Sequence, residues 1–163
     1  MQRKGTIITI CLFAVIIAAI VLVFTGGVPG GKPPALKVSN ELGISITAQQ
    51  GTFSWHSGNS SITADSQGPL GLYKLGELKG IEPSENDDQS LQLSFGKAPE
   101  TVSVTIYPES SAAKGDYTTG ISREVSGTDT EYRFTVPSDD LYIVEVHAAW
   151  SKGDCSYYFY TTN

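Results

Sequence analysis

Cysteine is almost absent from this 163-residue chain, which holds only Cys11 and Cys155. Cys11 lies in an uncharged apolar run and Cys155 near the far end, so the two are not expected within the roughly 7 Å between Cα atoms that a disulfide needs. The fold must therefore hold without a crosslink. Cys155 reads as a small buried hydrophobe, with an intermolecular bridge as the other reading. Histidine is equally scarce, with only His56 and His147. Neither is accompanied by G-x-S-x-G, H-E-x-x-H or S-x-x-K. His56 and Asp65 could meet across the turn "HSGNSSITAD", but a metal site needs three or four converging ligands. An enzyme thus fits least, and no cofactor or metal is expected.

Positive charge is also in short supply. Beyond the apolar run lie all 17 acidic residues and 9 of the 11 basic ones. Such a surface repels nucleic acid and anionic lipid heads, which argues against a nucleic-acid partner. Helical periodicity is missing from every ten-residue stretch outside residues 6–25.

What is present begins with that stretch. "TIITICLFAVIIAAIVLVFT" (6–25) carries no charge. As a helix its 20 residues would rise about 30 Å, enough to cross the hydrocarbon core. A cleaved secretory signal has an apolar region of only ~7–15 residues and a small-residue site after it. Length therefore favours a retained signal anchor, with secretion after cleavage as the alternative. Arg3 and Lys4 precede the run, so the positive-inside bias predicts a cytoplasmic tail at 1–5, a transmembrane helix at 6–25 and export of everything after it. "GGVPGGKPP" (26–34) reads as a linker, and 35–163 as one extracytoplasmic domain within the usual domain size.

That domain reads as strand after strand. "ALKVS", "GISITA", "TFSW", "SITA", "LQLSF" (91–95), "VSVTIY" (102–107), "EYRFTV" (131–136), "LYIVEVHAAW" (141–150) and "CSYYFYT" (155–161) show period-two runs bounded by turn residues. They predict an all-β fold, an immunoglobulin-like β-sandwich of about 7–9 strands. Parity places Leu36, Val38, Ile44, Ile46, Phe53 and Trp55 inward. It does the same for Leu91, Leu93, Phe95, Val102, Val104, Ile106, Tyr132, Phe134 and Val136. Trp55 is assigned to the core, because a sandwich without disulfides needs large inward side chains. In the last hairpin "SKGD" (151–154) is the expected loop. Trp150 would then face Cys155, Ala148 face Tyr157 and Val146 face Phe159. On the other side His147 would face Tyr158, and Glu145 face Tyr160.

"GTFSW", "ADS", "LSFGKAPETVSVTIY", "YRFTVPSDDLYIVEVHAAW" and "GDCSYYF" together resemble a poorly characterised exported β-domain of Gram-positive bacteria. That domain is similar to the C-terminal module of some antirepressor-type membrane metallopeptidases. The resemblance implies an extracytoplasmic module of sensory type and no established activity; the metallopeptidase's own H-E-x-x-H is absent. "SDDLYIV" also looks like the immunoglobulin corner in which a tyrosine precedes the inter-sheet cysteine by two residues. Here Tyr142 precedes Val144, so apolar packing would replace the disulfide.

Two surfaces stand out. "EPSENDDQS" (82–90) gathers Glu85, Asp87 and Asp88, but without EF-hand spacing or its glycine it reads as a solvated loop protecting a sheet edge. The outward residues Glu145, His147, Tyr158 and Tyr160 form the candidate ligand- or partner-binding patch, since aromatic groups with polar tips favour interfaces. The same side chains also suit cross-strand stabilisation, about 0.2–1 kcal/mol per pair, or burial under a loop. The expected function is a membrane-anchored binding or sensory accessory acting through an envelope protein. The alternative is a structural or adhesion module contacting cell-wall glycan.

Overall fold

Alternating apolar residues make strands here because each strand buries one face, and two sheets meet on those faces. The computed structural model describes residues 31–82 and 89–162. The tail 1–5, the apolar run 6–25, the first linker residues and Glu85, Asp87 and Asp88 lie outside the described residues. Among the described residues no helix is long and apolar enough to cross a membrane.

The first sheet contains β1 (Leu36–Asn40), β2 (Ser45–Thr47), β6 (Gln89–Phe95), β9 (Ser126–Thr128) and β10 (Glu131–Val136), ordered β2-β1-β6-β10-β9. The second contains β3 (Gln49–Ser57), β4 (Ser60–Ala64), β7 (Thr101–Pro108), β8 (Ile121–Arg123), β11 (Tyr142–Trp150) and β12 (Gly153–Thr161), ordered β4-β3-β12-β11-β7-β8. β5 (Gly80–Ile81) joins β12 in parallel at Tyr160 and Thr161. The chain is thus an all-β, two-sheet sandwich. It has twelve strands among the described residues, because β5, β8 and β9 are too short to show alternation.

The core between the sheets takes Leu36, Val38, Leu91, Leu93, Phe134 and Val136 from one side. Val104, Ile106, Val144, Val146 and Phe159 come from the other. Aromatic rings stitch the two together. Phe95 packs edge-on against Trp150 at 5.8 Å and Tyr157 at 6.0 Å, and Trp55 meets Trp150 at 5.5 Å. Trp55 is therefore a core residue, 4% exposed. The Trp150 indole N–H donates to the Lys97 carbonyl at 3.0 Å, so its polar atom is satisfied.

The last hairpin departs from expectation by two residues. Trp150 faces Gly153, Ala148 faces Cys155, Val146 faces Tyr157 and Val144 faces Phe159. On the other face His147 pairs with Ser156, Glu145 with Tyr158 and Ile143 with Tyr160. The cause is a two-residue loop, Ser151–Lys152, the commonest hairpin connection. Gly153 belongs to the strand: its φ is +140°, and a Cβ there would come 1.9 Å from the Ser54 carbonyl oxygen of β3. A shift of two preserves parity, so the apolar set still faces inward.

Ile44 is also misplaced by parity, being 47% exposed. It belongs to the turn after β1, where the Asn40 side chain accepts from its amide at 2.9 Å and β2 begins only at Ser45. Ile46, Phe53, Val102 and Tyr132 are partly buried against the core.

Two short helices lie on the outer face of the second sheet: α1 (Gly68–Lys74) and α2 (Glu109–Lys114). Pro69 starts α1 with a preset φ, and Pro108 ends β7 by withholding an amide donor. Seven and six residues are too few for periodicity to reveal them. Beneath them a second apolar cluster joins Leu70, Leu72, Leu78 and Ala112 to Tyr107, Ile143 and Tyr158 of the sheet.

The start of the domain is tied down by the core itself. The Tyr157 hydroxyl donates to the Pro34 carbonyl, and the Gln50 amide donates to the Pro33 carbonyl at 3.1 Å. Tyr142 is buried and its hydroxyl donates to Asp139 at 2.8 Å, tying the approach to β11. Native tryptophan emission should be blue-shifted from that of indole in water, and Trp55→Ala should cost about 3–5 kcal/mol of unfolding free energy. Water-like emission, or an unmoved denaturation midpoint in the variant, would refute this packing.

Candidate functional site

The sandwich buries one face of the second sheet, and α1 with Leu78 and α2 covers part of the other. Where that cover ends, a groove of about 740 Å³ opens. Its wall includes Tyr73 and Lys74 of α1, Leu78, Glu109 of α2, Asp140 and Tyr160 of β12. Local hydrogen bonding explains why these side chains converge. The β7–β11 ladder ends with Pro108 opposite Tyr142, and the Glu109 amide then donates to the Leu141 carbonyl at 3.0 Å. Glu109 and Asp140 therefore leave the same end of the same strand pair. The Asp140 carboxylate accepts from the Leu141 amide at 2.8 Å, fixing that turn.

Across the groove, the Tyr73 hydroxyl donates to Glu109 Oε1 at 2.6 Å and links the two helices. Its ring meets that of Tyr160 at 5.3 Å with planes 74° apart, so the rings form two walls of a corner. Burial, followed by the bond to Glu109, pushes the Tyr73 hydroxyl up to about 12. The phenol therefore stays protonated, and donating, near neutral pH. Among the described residues, Glu109, Asp140 and Lys74 at the end of α1 form no ion pair.

The four residues expected to form one outward patch do not share an environment. Tyr160 lines the groove. Tyr158 is buried, 2% exposed, with its ring lying so close to Gly51 that a Cβ there would sit 2.0 Å from Cε2. Glu145 is half-buried and accepts from the Tyr107 hydroxyl at 3.1 Å. His147 is exposed, flanked in register by Ser103 and Ser156. The helices cause this division, since they cover the sheet over Tyr158 and leave it bare at His147. Sequence parity gave no sign of Tyr73, Glu109 or Asp140. The only available signal was the proline at 108, which stops β7 beside an acidic residue.

His56 and Asp65 do not meet. His56 pairs with Ser61, whereas Asp65 follows Ala64, which pairs with Phe53 three residues away. Among the described residues no group of three or more His, Cys, Asp and Glu side chains is placed to hold a metal. Cys155 is a buried free thiol, pushed up to about 12 by desolvation.

The raised groups share one consequence. Tyr73 and Tyr142 move from 10.0 to about 12, and Cys155 from 9.0 to about 12, each mainly through burial. Burial also raises Tyr107 and Tyr157. A raised acid favours the protonated folded form, so its contribution is complete below the unfolded value and is lost as pH rises through the folded one. Stability should hold up to about pH 9 and fall steadily between pH 9 and 12, with tyrosinate absorbance appearing alongside unfolding. Full titration of the tyrosines near pH 10 without unfolding would contradict these burials. No protein-family model, curated protein or solved structure matches this chain, so the groove is read from its own residues.

Proposed function

We propose that the protein is a membrane-anchored extracytoplasmic binding or sensory accessory that engages its partner through the groove between α1 and α2. The observation carrying this reading is the aromatic corner of Tyr73 and Tyr160 beside two carboxylates without an ion-pair partner among the described residues, in a cavity large enough for a small ligand or a peptide segment. The uncharged run 6–25 after Arg3 and Lys4 supports the anchor and the direction of export. A two-sheet sandwich whose Tyr142 hydroxyl ties the turn before β11 supports an immunoglobulin-like relationship. It also agrees with the resemblance to the exported domain of Gram-positive bacteria.

A second reading is a structural or adhesion module that holds cell-wall glycan. Tyr160 favours it, because a partly exposed ring at the wall of a groove offers a flat apolar face to a sugar.

Crosslinking the full chain in membranes, followed by pull-down, separates these readings, as does retention on purified peptidoglycan. Tyr160→Ser removes a half-buried ring and should lower the melting temperature by a few degrees without unfolding the domain, while abolishing partner capture or glycan retention. Unchanged capture and retention would remove the groove from function. Tyr158→Ser should instead destabilise the fold by about 3 kcal/mol, since it empties a buried aromatic site.

A further inference from the structure

The ligand class of the groove follows from its charges and rings. Glu109 uses Oε1 to accept from Tyr73, and its Oε2 has no hydrogen-bond partner among the described residues. Asp140 likewise uses Oδ1 for the Leu141 amide, and its Oδ2 has none. Both carboxylates are thus positioned by the fold while each keeps an acceptor oxygen to offer. They stand beside two tyrosine rings, whose electron-rich faces attract cations. The Tyr73 hydroxyl bond fixes one ring, and packing of Tyr160 against Gly80, where a Cβ would come 2.7 Å from the phenol carbon Cζ, fixes the other. The whole chain carries a net charge of −6, so its long-range field draws cations and repels anions. Leu78 and Ala112 supply apolar surface for the body of a ligand.

We infer that the groove binds an organic ammonium group, with Glu109 and Asp140 taking the ammonium and Tyr73 and Tyr160 contacting the atoms that carry it. This rests on the groove being the binding surface proposed above. Two sources share that chemistry: an amino sugar whose nitrogen is not acetylated, and a free polyamine. A neutral ligand could offer the carboxylates only uncharged donors, which make weaker hydrogen bonds than an ammonium does, and an anion would be repelled by them. Lys74 opposes the ammonium from the rim, which sets the sign of one variant.

The full chain, held in an uncharged, sugar-free detergent, is titrated with glucosamine tetramer, N-acetylglucosamine tetramer and spermidine. Binding is followed by calorimetry and by the ring signals of Tyr73 and Tyr160. The expected result is that glucosamine tetramer or spermidine binds at least about tenfold more tightly than the acetylated tetramer and weakens with added salt. Glucosamine tetramer outbinding spermidine identifies the glycan source, and the reverse identifies the free amine. Glu109→Gln and Asp140→Asn keep the internal acceptor atoms and should each weaken binding by about fivefold, the upper range for one exposed ion pair. Lys74→Met should tighten it.

Equal binding of the acetylated and free tetramers, indifferent to both carboxylate variants, overturns the ammonium assignment while leaving the groove as a binding surface. So does the absence of binding by all three probes when Tyr160→Ser still abolishes partner capture. If no probe binds and Tyr160→Ser captures partner normally, the groove itself is refuted.

Discussion

Strand β12 of the second sheet must be buried on both of its faces. Tyr157 and Phe159 point into the sandwich and are fully buried, while Tyr158 between them is 2% exposed on the opposite side. Leaving a tyrosine ring and the neighbouring Ile143 in water would forfeit about 1.5–3 kcal/mol for each large side chain. Burying them requires a third layer, which α1, Leu78 and α2 provide. The sequence between β4 and β5 and the turn after β7 therefore follow from β12. Gly51 obeys the same constraint on the neighbouring strand, because only a residue without a side chain leaves room for the Tyr158 ring.

A cover built from helices of seven and six residues cannot span a seven-stranded sheet. It leaves a gap between the two helices, and the groove opens there with Asp140 and Tyr160 completing its wall. The groove residues are held by the same contacts that close the layer. Tyr73 crosslinks the helices through Glu109, and Asp140 fixes the turn into β11. Binding groups supported this way lose little freedom when a ligand arrives, which preserves affinity. The bare sheet surface around His147 has no such support.

The sandwich was legible because Leu36, Val38, Leu91, Leu93 and Phe134 alternate cleanly with polar neighbours, and alternation is a direct consequence of one buried face. The site was less legible. "YIV" at 142–144 and "YYFY" at 157–160 are continuous apolar or aromatic runs, the pattern of strands covered on both sides. Alternation alone would leave Tyr158 in solvent. The hairpin shift has its source in Gly153, which has the composition of a loop residue but occupies a strand position open only to a residue without a Cβ. Glu109 and Asp140 lie 31 positions apart in sequence. Their convergence on one groove depends on strand order, which no local pattern encodes.

The hydrogen bond from Tyr157 to Pro34 gives the sandwich a mechanical polarity. Tyr157 projects from β12, a strand flanked by β3 and β11 and deep in the core, yet its hydroxyl grips the carbonyl of a residue just ahead of β1. Gln50 of β3 holds the adjoining carbonyl. Tension applied to the chain ahead of Pro33 is therefore shared with the second sheet before β1 can peel from β6. The load then enters β12 and β3 as well as β1, which is itself held between β2 and β6.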